Sequence, residues 1–327
     1  MPATSAPLRV AVTGSRGFVG SWFLERLRAA DPFGIEAFAL ASPTMPADAD
    51  GPDIRDADAV LAAVRDTRPD VVLHLAAIAA PGHARADPTT AWQVNVMGTL
   101  NVARAVMTAA PDARFIFISS SEVYGDSFID AKAPLDESAV LAPRSVYAAT
   151  KAAADLMIGQ MAKDGLNATR FRPFNHTGPG QAADFVVSAF ARQIARIEHG
   201  LQPPVIEVGN LDAERDFLDV RDIVDAYIAA CRGGDGRETG AVLNLATGAP
   251  VSIRAILDTL LAAADRPIEV RTDPARLRPN DIAIASGNAA LAHAALDWQP
   301  RIPLAVTLRE CLDFWRAHIA ATSTSGS

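Results

Sequence analysis

An α/β fold is predicted for this 327-residue chain, a doubly wound parallel sheet with a smaller C-terminal α/β part, and three features predict it. Short apolar runs of buried-strand type alternate with helix-like stretches as far as Arg172. That order lays parallel strands side by side with helices on both faces. The first run leads straight into a glycine-rich turn and a helix, and beyond Arg172 the texture changes to loop material and then to short strands mixed with helices.

Leu8-Arg9-Val10-Ala11-Val12-Thr13 is the first strand, followed by Gly14-Ser15-Arg16-Gly17-Phe18-Val19-Gly20 and a helix-like stretch over 21–27. Strand, glycine turn and helix in this order form the context of a dinucleotide phosphate site, the Rossmann arrangement. The glycines allow a tight turn and close backbone approach, and the helix N-terminus faces the pyrophosphate. Glycines in such a turn can also be merely structural, so the motif gains its weight from the residues further along the chain.

Residues 34–40 read as the second strand. Dinucleotide folds often end this strand with an acid that holds the adenosine ribose. Here Ala41-Ser42-Pro43-Thr44 offers neither acid nor Arg, which leaves NAD and NADP both open. Arg16 facing a 2′-phosphate tilts the choice toward NADPH, against the plain reading of a solvated arginine. Asp53 either caps the next helix pattern or reaches the adenine.

Residues 70–77 form the next buried strand, ending in small residues that let a nicotinamide ribose approach; His74 inside it reads as a core histidine. A long helix is expected around Asn95-Val96-Met97-Gly98-Thr99-Leu100-Asn101, where Asn95 holds backbone or a water near the site. Arg114-Phe115-Ile116-Phe117-Ile118 is a strand running into Ser119-Ser120-Ser121-Glu122-Val123-Tyr124-Gly125. Hydroxyls at a carboxyl strand end lie where an open parallel sheet binds ligands, although a serine-rich turn looks the same. Residues 167–172 return as a strand, and the Ser/Thr tail from Ala321 is expected to be disordered.

Composition narrows the function. The chain is long enough for a large core, and no run approaches ~18 uninterrupted apolar residues, so a protein without a membrane span is expected. Residues 1–7 lack the charged and apolar regions of a signal peptide. Cys231 and Cys311 form no spaced cluster, which speaks against structural zinc and a disulfide framework and fits a reducing cytoplasm. A net charge of −8 disfavours nucleic acid along a broad surface. A small phosphate pocket stays possible, since 27 of the 30 basic residues are arginines, suited to bidentate phosphate contacts.

The chemistry centres on Ser145-Val146-Tyr147-Ala148-Ala149-Thr150-Lys151. The flanking alanines favour a helix, on which Tyr147 and Lys151 share one face a turn apart. A nearby ammonium favours phenolate, so the phenol is expected to move from ~10 toward the range useful for proton transfer. The alternative is a surface helix with an accidental pair, and three Tyr and three Lys in the whole chain make such an accident uncommon.

Together the glycine pattern of 14–20, Ser119–Gly125, Tyr147 with Lys151, and residues 172–181 resemble the extended short-chain dehydrogenases that act on nucleotide-linked sugars. The resemblance runs from Val10 to about Ala317 and includes Phe190–Ala195, Val208–Leu211, Arg215–Asp222 and Arg276–Pro279. It implies NAD(P)H-dependent reduction of the C4 ketone of a GDP-linked 4-keto-6-deoxymannose to GDP-D-rhamnose, with 4,6-dehydration or 4-epimerisation as the alternative. Tyr147 would be the proton donor, Lys151 would bind the nicotinamide ribose and lower the phenol's pKa, and Ser120 would bond the C4 oxygen. Glu122 matches a carboxylate used as a base in dehydratases.

The resemblance also implies coenzyme contacts from Gly14, Arg16, Gly17, Phe18, Val19, Gly20, Asp53, Ile54, Leu75, Ala76, Ala77, Asn95, Ser119 and Arg172. Substrate contacts would come from Ser121, Asn175, Arg192, Arg215, Arg278 and Asp281. Salt bridges to Asp216 or Asp219 are the bland alternative for Arg215. The implied division gives 1–173 with about 215–250 to the dinucleotide, and 174–214 with 251–320 to the substrate. The resemblance implies a homodimer, and the small and apolar residues of the helices near 89–109 and 145–164 suit a four-helix seam, although a buried intrachain face would look the same. A non-catalytic nucleotide sensor on the same scaffold is the reading from another class; the presence of both Tyr147 and Lys151 argues against it.

Overall fold

The structure, a computed structural model, describes residues 6–29, 34–40, 51–233, 239–276 and 282–324. Leu8–Thr13 (β1) is buried from Val10 onward, as an apolar run without a polar alternate must be. It passes through the glycine turn into Phe18–Ala29 (α1). Next come Ile35–Ala39 (β2), Ala57–Thr67 (α2), Val71–His74 (β3), Pro81–Ala86 (α3), Pro88–Trp92 (α4), Thr99–Ala109 (α5), Arg114–Ile118 (β4), Val146–Lys163 (α6) and Ala168–Pro173 (β5). Two further pieces position the site: Asn175–Thr177 (β6) and Val186–Glu198 (α7).

The remainder comprises Val205–Val208 (β7), Glu214–Arg215 (β8), Phe217–Asp219 (β9), Val220–Arg232 (α8), Ala241–Leu245 (β10), Val251–Ser252 (β11) and Ile253–Ala262 (α9). Glu269–Thr272 (β12), Ile284–Ala285 (β13), Ala290–Leu296 (α10) and Leu304–Thr324 (α11) complete it.

Six strands form one parallel sheet in the order β10-β5-β4-β3-β1-β2. The doubly wound α/β expectation is met. The order reverses between β1 and β3, which pair Val10 with Val71 and Thr13 with His74. A crevice outside the carboxyl ends of such a sheet, at this switch point, is where ligands bind. Alternate side chains of β4 divide the core: Ile116 and Ile118 pack with Phe23, Phe171 and Ile223, whereas Phe115 and Phe117 pack with Val64, Val102 and Ile158. A third core joins Phe190 and Ile194 of α7, Ile206 of β7, Ile256 of α9 and Leu308 and Leu312 of α11.

One expectation is refined and one changes. The long helix around Asn95 runs unbroken from Pro88 to Ala109, with a π-helical turn over Gln93–Gly98 between α4 and α5. Gly98 leaves no room for a Cβ, which would lie 2.6 Å from Ile54 Cδ1, and the wide turn directs Asn95 inward. The expected disordered tail is partly helix. α11 runs to Thr324, because Leu308, Leu312 and Ile319 bury one side of it; residues 325–327 lie outside the described residues. Among the described residues no helix is long and apolar enough to cross a membrane, and no cluster of His, Cys, Asp or Glu is arranged to hold a metal ion.

Candidate active site

The glycine turn is built by close backbone approach. Gly14 sits at φ +68, and a Cβ there would come within 2.9 Å of Ala76 Cα and N. A Cβ on Gly20 would lie 2.3 Å from the Gly14 carbonyl oxygen, while Gly17 N donates to that same oxygen at 3.0 Å. Phe18 and Val19 open α1, so its unpaired backbone N–H groups and positive dipole end face the turn. Arg16 and Gly17 are exposed on it.

A cleft of about 390 Å³ runs from Thr13 and Gly14 along Leu40, Asp53 and Ile54 to Ala76–Ile78. The Leu75 N–H donates to the Thr13 carbonyl at 3.2 Å and holds the strand ends in register at its floor. Asp53 stands at the edge of the cleft, paired with Arg55 through Nε at 2.9 Å, and that bond holds its carboxyl below the usual range. Asp56, not Asp53, caps α2, accepting from Ala59 N at 3.0 Å. Ala41–Thr44, where a ribose-binding acid was sought, lie outside the described residues. At the carboxyl end of β4, Ser119 Oγ is buried with no hydrogen-bond partner. A backbone cradle that excludes side chains, a helix N-terminus and an orphaned buried hydroxyl fit an extended phosphorylated ligand of dinucleotide type.

The reactive groups converge beside this cleft. Ser145 caps α6 by accepting from Ala148 N at 3.0 Å, which sets Tyr147 in the first turn. Ser120 is extended, accepts from Glu122 N at 3.2 Å and hydrogen-bonds the Tyr147 phenol. Glu122 is exposed, with Ser145 Oγ donating to its Oε2 at 3.5 Å. Ser121 is buried at the start of the 3₁₀ turn Ser121–Phe128.

One expectation fails here. The Tyr147 phenol is pushed up, not down: burial raises it, the Glu122 charge adds to that, and the Ser120 bond opposes both. Lys151 points elsewhere. Its Nζ donates to the Ile118 carbonyl at 2.7 Å and lies 5.2 Å from the centre of the Phe117 ring. Burial lowers the ammonium to about 8, against the opposing charge of Asp155.

Two residues expected to touch coenzyme are committed to the fold. Arg172 is buried against Asp155, with Nε to Oδ2 at 2.9 Å and Nη2 to Oδ1 at 3.1 Å, and also donates to Tyr124 Oη at 3.1 Å. Asn95 spends its amide on the Ile78 backbone, at 2.8 and 3.2 Å, and on Thr150 Oγ1 at 2.9 Å. It staples the cleft wall to α6, as the expectation that it holds backbone allows. His74 is a core histidine, bonded at both ring nitrogens and pushed down to about 3 by burial, with the Lys151 charge adding to it.

On the far side, Asn175 is exposed on β6, directly after β5. Arg215 Nη1 donates to the carbonyls of Glu214 and Ile282, both at 2.8 Å, while Asp216 and Asp219 are bound to Thr247 and Arg221. The Arg192 guanidinium lies 5.7 Å from the centre of the Trp315 ring, across the seam between α7 and α11. Arg278 and Asp281 lie outside the described residues. Three contacts were not foreseen: Phe18 stacks on His176 with centroids 6.5 Å apart, Trp22 Nε1 donates to the Pro179 carbonyl at 3.0 Å, and Asp155 anchors α6. Of these only Asp155 carried a signal, four residues after Lys151 on the same helix face.

A sequence model of the family described as GDP-mannose 4,6 dehydratase matches residues 11–311. The chain belongs to that family. As a GDP-mannose 4,6-dehydratase family member it is 36% identical over 315 residues to the GDP-6-deoxy-D-mannose reductase of Pseudomonas aeruginosa, covering 95% of this chain and 98% of the relative. The structure of RMD from Pseudomonas aeruginosa complexed with NADPH matches with a TM-score of 0.84 and 34% identity, over 95% of this chain and 99% of that one. The UDP-glucose 4-epimerase of Thermus thermophilus, in complex with NAD, matches at a TM-score of 0.80 and 27% identity, over 94% and 99% of the two chains. The extended short-chain dehydrogenase resemblance is thereby borne out.

Proposed function

We propose that this family member reduces the C4 ketone of GDP-4-keto-6-deoxy-D-mannose to GDP-D-rhamnose with NADPH or NADH. The observation that carries the reading is the full-length similarity to a GDP-6-deoxy-D-mannose reductase, joined to a Ser120–Tyr147 pair beside the cleft. The glycine turn and the start of α1 would hold the coenzyme pyrophosphate, Asp53 and Ile54 its adenosine end, and Ala76, Ala77, Ser119 and Lys151 its nicotinamide end. When bound, the reduced nicotinamide supplies the hydride.

The protein's residues supply the rest. A phenol whose acidity is suppressed keeps its proton at neutral pH, as the acid of a reduction must. Tyr147 gives that proton to the C4 oxygen as negative charge develops there, and Ser120 donates the second hydrogen bond. Asn175 and Arg278, on the substrate portion formed by 174–214 and 251–320, and Arg215 at its border hold the GDP group, whose remote binding energy positions the reacting carbon. Ser121, Arg192 and Asp281 are the further substrate contacts of this reading, and Arg16 facing a 2′-phosphate would favour NADPH.

A second reading, 4-epimerisation or 4,6-dehydration, is favoured by exposed Glu122 next to Ser120 and by 30% identity to the UDP-glucose 4-epimerase of Streptomyces lividans. The test monitors absorbance of NADPH or NADH with GDP-4-keto-6-deoxymannose, beside UDP- and dTDP-keto sugars. Coenzyme consumption with the GDP substrate is expected. Failure with both coenzymes rejects the reductase, and conversion of GDP-mannose or UDP-glucose without consumption supports the second reading.

A homodimer in the cytoplasm completes the proposal. Trp92, Met97 and Leu156 are 43, 51 and 61% exposed on the adjoining α4–α5 and α6 helices. Large apolar side chains at that exposure suit a four-helix seam with a second copy.

A further inference from the structure

A buried chain of hydrogen bonds runs from the glycine turn to the helix of Tyr147, and the direction of each bond can be worked out. Thr99 Oγ1 has one proton, which it gives to the Asn95 carbonyl at 2.8 Å. Toward His74 Nε2, 2.9 Å away, it therefore accepts, and Nε2 carries the ring proton. His74 Nδ1 is then bare and accepts from Thr13 Oγ1 at 2.8 Å. Thr13 Oγ1 accepts in turn from Ala76 N at 3.2 Å.

The other arm starts at the same asparagine. Asn95 Oδ1 accepts from Ile78 N at 2.8 Å, and Nδ2 donates to the Ile78 carbonyl at 3.2 Å and to Thr150 Oγ1 at 2.9 Å. Thr150 Oγ1 gives its own proton to the Tyr147 carbonyl at 2.7 Å. Thr13, His74, Asn95, Thr99 and Thr150 are all buried, so no water competes for these bonds. The π-helical turn at Gln93–Gly98 lets one asparagine reach both the cleft wall and α6.

We propose that this chain is the positioning device of the site, with His74 as its single-tautomer centre. It ties three segments together at fixed distances: the end of β1 that carries Gly14, the Ala76–Ile78 wall of the cleft, and the first turn of α6. None of its side chains needs to touch substrate. Its effect is exerted through Tyr147 and through the glycine turn. A polar histidine in an apolar strand is kept because its two nitrogens differ. One accepts from the hydroxyl of β1 and the other donates to the hydroxyl of α5, which no aliphatic residue reproduces.

The inference rests on the reductase reading only for its turnover readout. Thr99→Val keeps the volume of the side chain and removes the acceptor for His74; Thr99→Ser keeps the hydroxyl and loses a methyl group. Thr99→Val is expected to lower kcat about ten- to hundredfold and to weaken NADPH binding, read by coenzyme fluorescence, several-fold, since misplacement by about 1 Å costs up to about a hundredfold in rate. Thr99→Ser is expected to restore both to within about threefold. Nitrogen-15 spectra of the histidine-labelled wild type, with His74 assigned through His74→Gln, are expected to show neutral imidazole protonated at Nε2.

Equal turnover and coenzyme binding in the Val and Ser variants overturns the proposal, and so does an Nδ1-protonated His74 in the wild type. If Thr99→Val does not fold, Thr150→Val, which cuts the arm to Tyr147, is compared with Thr150→Ser in the same way. A wild type that turns over no nucleotide sugar defeats the reductase reading, while the spectra and the NADPH dissociation constants still decide this one.

Discussion

Asp155 and Arg172 form a two-point ion pair in the protein interior, with Nε to Oδ2 at 2.9 Å and Nη2 to Oδ1 at 3.1 Å. Arg170 Nη1 adds a third donor to Oδ1 at 2.8 Å. The carboxylate thus joins α6 to β5 and fixes the rotation of the helix that carries Tyr147 and Lys151. Asp155→Ala leaves two arginines without their buried counter-charge, and urea unfolding is expected to show a loss of about 3–5 kcal/mol. Adding Arg172→Met should recover part of that loss. A single substitution costing under about 1 kcal/mol would contradict this account.

Lys151 is a buried cation whose ammonium is lowered to about 8 from 10.5. Below pH 8 it is charged in both the folded and the unfolded chain, and the folded chain bears the full cost of burial. Between pH 8 and 10.5 the folded chain has lost a proton that the unfolded chain retains, so stability rises with pH through that window. Lys151→Met removes this dependence. At pH 7 it should melt above the wild type, by at most on the order of 3 kcal/mol less the lost bond to Ile118, while turnover disappears. The gain should shrink toward pH 10.5, and calorimetry across pH 7 to 10.5 checks the sign.

Tyr147→Phe removes the proton donor and retains the ring. Turnover is expected to fall by about 10²–10⁴-fold with the NADPH dissociation constant changed less than about threefold. Stopped-flow turnover and coenzyme fluorescence measure the two; near-normal turnover would remove Tyr147 from the role.

Gly14→Ala meets two obstacles at once, a φ of +68 and a Cβ 2.9 Å from the Ala76 backbone. The turn must open, so NADPH binding should be lost at micromolar protein and stability reduced by about 1–3 kcal/mol. Titration calorimetry and thermal melting read each effect separately.

Leu156 stands 61% exposed on α6, where a second copy would cover it. Leu156→Glu is expected to convert the dimer to a monomer in light scattering with the circular dichroism spectrum preserved. A monomeric wild type would refute the seam.

Much of the fold could be read from local pattern. β1 and β4 fall on Leu8–Thr13 and Arg114–Ile118, the runs picked out as buried strands, because three or four consecutive apolar residues with no polar alternate have nowhere to go but the interior of a parallel sheet. The glycine turn was equally visible, since only glycine tolerates the approach of Ala76 to Gly14. The π-helical turn at Asn95 was not, because it goes with a contact to Ile54, some forty residues away, and hydrogen bonds to Ile78 and Thr150. Arg172 shows the same limit: a strand arginine near a ligand edge suggests phosphate, and its commitment to Asp155 appears only when α6 is laid across β5.

The sequence by itself determined the order of strands and helices, the glycine cradle, and the placing of Tyr147 and Lys151 on one helix face, all consequences of spacings of four residues or fewer and of local apolar pattern. Tertiary structure alone decided where those side chains point and how acidic they are. Lys151 turns to the Ile118 carbonyl, and burial with the Glu122 charge makes the Tyr147 phenol a weaker acid, because desolvation and long-range charge depend on which distant segments close over a group.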